Sequence, residues 1–435
     1  MYTACSGKRT ACVRGTTLKR RASFFIALRY LWGRAHEGGR YLRGAAAGIA
    51  VSLVPIIVTL IVADGMIRGI TDRYLELGTG HIQVSNLRYE EAVIDQIMEV
   101  DGVRGVWPEQ RGMGVLAGRS GKTGVTVRAI EPSFWEERGS AAFLKVIEGG
   151  QKPQTERDIV LGEALAESID ARVGDTVRLM TVRAGDGGRL TPRSAGFTVR
   201  GIISCGYNEL DALWCIISWE GGKRVFSDDY SSASMIIKID DPYKKADDLS
   251  WELFVRLGSG YNIYTWKEIL RSQYSSYEST RQLLLFIMAL IVVVAAVNVS
   301  SATSMLVLER QRDIAVLKVS GANVRGVTGV FLWGSFLTGF IGGITGVTLG
   351  LLIGVNINFL IRSLEKFLSF FSGLFKGEEV KILDPGFYLE TIPIIIDWNM
   401  VFLIFLFAII CSVLASWIPA SRAGRLKPME LLRKT

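Results

Sequence analysis

Few residues in this chain have the types and spacing that catalysis needs. Its 435 residues include two histidines, His36 and His81, one on each side of the first long apolar stretch. No Ser-His-Asp arrangement, zinc-ligand spacing or Cys-x-x-Cys pair appears in the sequence. The one string that resembles a nucleotide site is Gly118-Arg-Ser-Gly-Lys-Thr-Gly124. A phosphate-binding loop needs G-x-x-x-x-G-K-[ST] leading into a helix, because the helix N-terminus holds the phosphate. Leu116 stands at the first glycine position, and the strand-like VTVRAI follows, so the string reads as a hairpin turn. His81 opens a strand pattern and reads as structural. Cys205 and Cys215 flank the turn YNELDAL, where a disulfide and two buried thiols are both compatible with the pattern. Metal and catalytic residues are therefore expected to be absent.

The chemistry that the sequence does support begins at Glu309. In ERQRDIAVLKVSGA, the charged Glu309, Arg310, Arg312, Asp313 and Lys318 interleave with Ile314, Ala315, Leu317 and Val319, and Gly321-Ala322 follow. This pattern predicts a short amphipathic helix stopped by glycine. Such a helix offers charge and an apolar face to a protein partner.

Four long apolar stretches position it. Uncharged runs of 20, 27, 36 and 24 residues lie between Arg43 and Asp64, Arg281 and Glu309, Arg325 and Arg362, and Asp397 and Arg422. A helix needs roughly 20 apolar residues to cross a bilayer. Mean hydropathy is +0.29. Spans are expected over residues 43–65, 282–308, 327–356 and 398–418. The first run starts too far in, and is too long, for a removable signal peptide.

Lysine and arginine set the expected orientation. The first 43 residues carry ten basic residues against one acidic residue, and the tail 419–435 and the segment 309–325 are also basic. Both termini and segment 309–325 are then expected in the cytoplasm, with residues 66–280 and the loop 357–397 on the other side. The net charge of +8 is thus topological, and no nucleic-acid partner is implied. Residues 1–17 read as a disordered leader. Residues 18–42 place Phe24, Phe25, Leu28, Leu31 and Trp32 at helical spacing among basic residues, as in a helix lying on a membrane face. Residues 66–280 alternate strand and helix patterns and read as one mixed α/β domain. In span three, Gly342, Gly346, Gly350 and Gly354 stand four apart, a face for close helix packing within the chain or against a second copy. Pro55 lies in span one, where it permits a kink.

The run from Glu309 to Ala322 resembles the coupling loop of the permeases of MacB/FtsX-type ABC transporters. The tail WIPASRAGRLKPMELLR resembles their closing signature at Pro419, Ala420, Ala423, Leu426, Pro428, Glu430, Leu432 and Arg433. Within that superfamily the lipoprotein-releasing permeases are most similar. FIALRYLWGR, IVLGEALAESIDARVGDTVRLMT, FTVRGIISCGYNELDALWCIISWEGGKRVF and DPGFYLETIPIIIDWNM carry this part of the resemblance, and the leader departs from it. The resemblance implies an α-helical membrane protein with four transmembrane helices and a mixed α/β extracytoplasmic domain of the MacB periplasmic type. It implies an inner-membrane permease that extracts lipoproteins and hands them to a periplasmic carrier. It implies a cytoplasmic ABC ATPase dimer that uses the ATP, with no cofactor bound directly by this chain, and a second permease copy or homologue. Glu309, Arg310, Arg312, Asp313, Ala315, Lys318, Gly321 and Ala322 are the implied ATPase-coupling residues. The same superfamily also contains peptide or small-molecule exporters and regulators of cell-wall hydrolases, which are the alternatives.

Overall fold

The computed structural model describes residues 24–28, 38–85, 91–184, 190–226, 233–374, 389 and 391–426. The chain divides into two compact units. Unit 1 comprises Met1–Ala63, Arg281–Leu360 and Ile394–Thr435, and unit 2 comprises Asp64–Thr280 and Ile361–Pro393. The longer helices are α1 (Gly38–Arg73), α2 (Glu91–Met98), α3 (Pro242–Leu257), α4 (Arg271–Glu309), α5 (Gln311–Val319), α6 (Val324–Val355), α7 (Ile357–Leu374) and α8 (Trp398–Arg425). The strands are β1 (Ile82–Ser85), β2 (Val103–Ala117), β3 (Lys122–Ile130), β4 (Lys145–Gly149), β5 (Asp158–Gly162), β6 (Thr176–Ala184), β7 (Leu190–Ser204), β8 (Trp214–Ser218), β9 (Ala233–Ile239) and β10 (Asn262–Thr265).

Unit 1 is helical. Four helices among the described residues are long and apolar enough to cross a membrane: Arg40–Thr79, Arg271–Glu309, Val324–Val355 and Trp398–Arg425. Ile49, Leu53, Ile57 and Leu60 recur along one face of α1 and meet Met288, Val292 and Val299 of α4 and Val401, Ile404 and Ala408 of α8. Apolar side chains on other faces, such as Phe286, Val294, Phe402 and Leu414, stay exposed, as lipid-facing positions require. Pro55 lies inside α1, which is unbroken around it. Residues 38–42, expected in the flat amphipathic helix, form the first turns of α1. Residues 24–28 are helical, with Phe24 edge-on to Trp333 of α6, while Leu31 and Trp32 lie outside the described residues.

The four-apart glycines of α6 have partners within the chain. A Cβ at Gly342 would stand 2.6 Å from the Ala46 carbonyl oxygen, and one at Gly346 would stand 2.9 Å from Ala50 Cα. At Gly350 and Gly354 the obstacles are Ile57 Cβ at 2.8 Å and Ile61 Cδ1 at 2.5 Å. This glycine face is thus filled by α1 of the same chain. A hydroxyl cluster ties three other helix faces: Thr303 Oγ1 of α4 lies 3.2 Å from Ser335 Oγ of α6 and 3.2 Å from Ser416 Oγ of α8, all buried.

Unit 2 is built on one ten-stranded sheet. The order is β10-β1-β9-β2-β3-β8-β5-β7-β4, with β6 pairing both β2 and β7. The pairings β2-β3-β8-β5-β7-β6 therefore close on β2 as a ring of six strands. Closure removes strand edges and encloses one face of each strand. Leu116, Val127, Leu161, Leu179, Phe197 and Ile217, one from each strand of the ring, fill that interior. Beyond the ring, β9, β1 and β10 carry α2 and α3 over a second core containing Val84, Ile97, Ile237 and Leu253. The string GRSGKTG joins β2 to β3, with Ala117 opposite Lys122, as the hairpin reading requires. The segment 357–397, expected as a loop, opens with the 18-residue helix α7, whose charged Arg362, Glu365 and Lys366 interrupt an otherwise apolar run.

Candidate functional site

The helix expected after Glu309 is α5. Glu309 ends α4 and Arg310 forms the N-terminal boundary of α5, where it pairs with Asp313 at 3.2 Å. Its stop is a Schellman motif: the Gly321 amide donates to the Lys318 carbonyl and the Ala322 amide to the Leu317 carbonyl. Gly321 has φ +96°, a conformation that glycine adopts without cost to a Cβ.

Packing sorts the candidate coupling residues by where they face. Ile314 is buried with Leu306, Val307, Val327, Phe331, Ala420 and Ala423, and Ala322 and Leu426 pack on the same cluster; Ala315 is buried as well. The segment after Glu309 thus sits directly on Ala420, Ala423 and Leu426 of the closing signature. Lys318 Nζ donates to the Leu426 carbonyl just past the last turn of α8, where an unpaired carbonyl and the helix dipole favour a cation. Burial pulls the Lys318 ammonium below its ordinary pKa. Gly424 lets α8 approach α6, since a Cβ there would stand 2.5 Å from Thr328 Oγ1. Glu309 and Arg312 remain exposed beside Val316 and Val319, which are 63% and 71% exposed. Val319 thus lies on the exposed side of α5, whereas Ala315 is buried. Pro428, Glu430, Leu432 and Arg433 lie outside the described residues.

A second charged constellation lies in unit 2, at the end of the helix that begins as α1. Past Arg73 the helix continues as a π-helical turn, Tyr74–Thr79. The last four carbonyls of a helix have no partner within it. Here each accepts from a side chain. Ser140 Oγ donates to the Glu76 carbonyl at 3.2 Å, and Arg128 Nη1 donates to that of Leu77. Arg128 Nη2 and Arg111 Nη2 donate to the Gly78 carbonyl at 3.1 and 2.6 Å, and Gln83 Nε2 donates to that of Thr79 at 2.7 Å. Arg128 is fully buried and also bonds Glu109, itself fully buried, which Arg111 pairs at 2.9 Å. Burial pulls the Arg128 guanidinium down to about 10, against the pull of Glu109. Burial would raise the Glu109 carboxyl, but Arg111 and Arg128 hold it below its usual range.

The acidic side chain of the turn is held as well. Glu76 lies 3.1 Å from Lys238 Nζ and 3.1 Å from His81 Nε2. Lys238 also reaches Glu137 at 2.7 Å and Ser140 at 2.6 Å, and His81 Nδ1 accepts from the Ile239 amide at 2.8 Å. His81 is structural. Leu389 and Pro393, from the DPGFYLETIP stretch, wedge against α1 at Gly65 and Gly69, where a Cβ would stand 2.1 Å from the Pro393 oxygen and 2.7 Å from Leu389 Cδ1.

None of Arg128, Glu109 and Lys238 stands out by motif. The signal for Arg128 and Lys238 is a charge inside an apolar strand, VTVRAI and MIIKID, where a residue facing the core must find an internal partner. Cys205 and Cys215 are both free thiols; they pack in different cores, Cys205 with Ile203 and Tyr207, Cys215 inside the ring. Among the described residues no cluster of His, Cys, Asp and Glu is arranged to hold a metal ion.

Two family profiles together match most of the chain. The MacB-like periplasmic core domain profile matches residues 44–268, and the FtsX-like permease C-terminal profile matches residues 285–428. The lipoprotein-releasing system transmembrane protein LolC of Xylella fastidiosa (strain 9a5c) is 30% identical over 423 residues, covering 94% of this chain and 98% of the relative. LolC of Neisseria meningitidis is 27% identical over 426 residues and LolE of Haemophilus influenzae 23% over 421, with the same coverage. Among solved structures, the periplasmic region of MacB from Actinobacillus actinomycetemcomitans matches with a TM-score of 0.29 and 14% identity, covering 46% of this chain and 95% of that one. With four spanning helices, a MacB-like core domain and similarity along nearly its whole length, this chain belongs to the LolC/LolE family of lipoprotein-releasing transmembrane proteins.

Proposed function

We infer that this chain is the permease subunit of an ABC transporter that releases lipoproteins from the inner membrane. The observation that carries this reading is the reach of the similarity. It covers 94% of the chain, including the unit-2 domain, and is not confined to the helices that FtsX-like permeases share. The MacB-like and FtsX-like profiles are shared with the alternatives, whereas the relatives matched along nearly their whole length are lipoprotein-releasing proteins.

In this reading the basic segments face the cytoplasm and unit 2 faces the periplasm. A separate ATPase dimer uses the ATP and docks on the exposed side of α5 through Glu309, Arg312, Val316 and Val319. The packed side of α5, with Lys318 on the α8 carboxyl end, passes its displacement into α6 and α8 as one block. Interiors are close-packed and transmit strain with little compression. A second permease copy or homologue completes the pathway through surfaces other than the α6 glycine face, which α1 already fills. Unit 2 delivers the lipoprotein to a periplasmic carrier.

The test is depletion. Loss of this chain leaves lipoproteins in the inner-membrane fraction, while peptide efflux continues. Normal lipoprotein localisation with failed efflux would overturn the reading in favour of an exporter.

A further inference from the structure

The last turn of the α1 helix is held in unit 2 by charged and polar side chains drawn from four separate elements. Four successive carbonyls, from Glu76 to Thr79, each accept from a side chain, and the donors come from β1, β2, β3 and the short helix Arg138–Phe143. The turn is π-helical, a form rare in proteins and concentrated where function needs it. Arg128 is the centre: it is fully buried, donates to two of the four carbonyls, and is held in place by Glu109. Gly139 admits the Glu76 carboxylate, because a Cβ there would stand 2.0 Å from Glu76 Oε2. A buried ion pair adds little net stability over apolar residues of similar size. Its retention at this helix end therefore calls for another reason.

We propose that Arg128 is a positioning residue for transport: with Arg111, Ser140 and Gln83 it forms a socket that fixes the end of the first spanning helix to the sheet, so that motion of the helix is delivered to the domain. The helix rises about 1.5 Å per residue and is stiff along its axis. Displacement along it reaches the sheet only if its last turn cannot slip or rewind. A π turn is one residue wider than an α turn, so an uncapped end can relax by rewinding, which would absorb the displacement. The guanidinium fork suits this task, because it holds two carbonyls and a carboxylate in one fixed geometry. The proposal rests on the reading of this chain as a lipoprotein-releasing permease.

The test uses the full transporter in proteoliposomes loaded with lipoprotein, with wild type and two variants. Arg128→Met with Glu109→Leu removes both buried charges and leaves the Leu77 carbonyl uncapped. Gln83→Leu is milder and uncaps only Thr79. The expected result for the double variant is a thermal midpoint near wild type, ATP hydrolysis retained, and release reduced at least tenfold. For Gln83→Leu a several-fold loss of release is expected with the same separation. Release that falls no further than the folded fraction, in whichever variant folds, overturns the proposal. Release at the wild-type rate does the same. If wild type itself releases nothing, the permease reading fails rather than the socket.

Discussion

Replacing Gly346 by alanine adds one methyl group at a close backbone contact between α1 and α6. That Cβ would stand 2.9 Å from Ala50 Cα, 2.9 Å from the Ala50 oxygen and 2.9 Å from Leu53 Cβ. Backbone cannot rotate away as a side-chain end can, so the helices must separate by several tenths of an ångström. Overpacking of this kind costs about 1–3 kcal/mol. Alanine also gains up to about 1 kcal/mol of helix propensity over glycine, which offsets part of the cost. Gly48→Ala in α1 separates the two effects, because nothing lies within 4 Å of a Cβ there. The difference between the variants should therefore be the steric cost alone, about 1–3 kcal/mol against Gly346→Ala. Gly354→Ala should fall between them. Its only close neighbour is Ile61 Cδ1 at 2.5 Å, the far end of a side chain, and Ile61→Val should relieve it. Reversible unfolding of the purified protein in mixed micelles measures all four. Equal stabilities for Gly346→Ala and Gly48→Ala, within about 0.5 kcal/mol, would refute the assignment of this face to packing with α1.

The remaining predictions concern the loop helix, the hydroxyl cluster and the thiols. Glu309→Lys with Arg312→Glu reverses the exposed charges of the α4–α5 corner and touches no buried contact. The protein should insert and fold as wild type while ATP hydrolysis no longer drives release, and normal release would remove the coupling role from these residues. Thr303→Val and Ser416→Ala should show a coupling energy of about 0.6 kcal/mol in a double-mutant cycle, the usual size of an interhelical hydrogen bond in a membrane. Additive effects would mean that the 3.2 Å contact carries no energy. Cys205 and Cys215 are buried, and burial pushes both thiols far above the ordinary value of 9.0. Neither should react with a maleimide at pH 7.5 until the protein is denatured, and rapid labelling of the native protein would contradict the packing of both cores.

The sequence by itself determined the elements whose cause is local. Four uncharged runs are long enough to be spanning helices because bilayer thickness sets a length, and no distant contact is needed to read it. The glycine stop at Gly321 was legible for the same reason: a helix end needs a residue that accepts positive φ, and the chain supplies one three residues after Lys318. The β2–β3 hairpin was legible from two strand patterns around GRSG. The tertiary structure decided what depends on partners far apart in the chain. Four-apart glycines announce a close approach without naming what approaches, and only packing shows that α1 does. Val319 and Ile314 are both apolar in sequence, and only packing shows that Ile314 is buried while Val319 is exposed. Closure of six strands into a ring depends on β6 pairing β2 across more than sixty residues of chain, which no local pattern encodes. Arg128 is the clearest case. In sequence it is a charge misplaced in a strand, and its purpose exists only where residues about 50 positions away present two helix-end carbonyls that have no partner within their own helix.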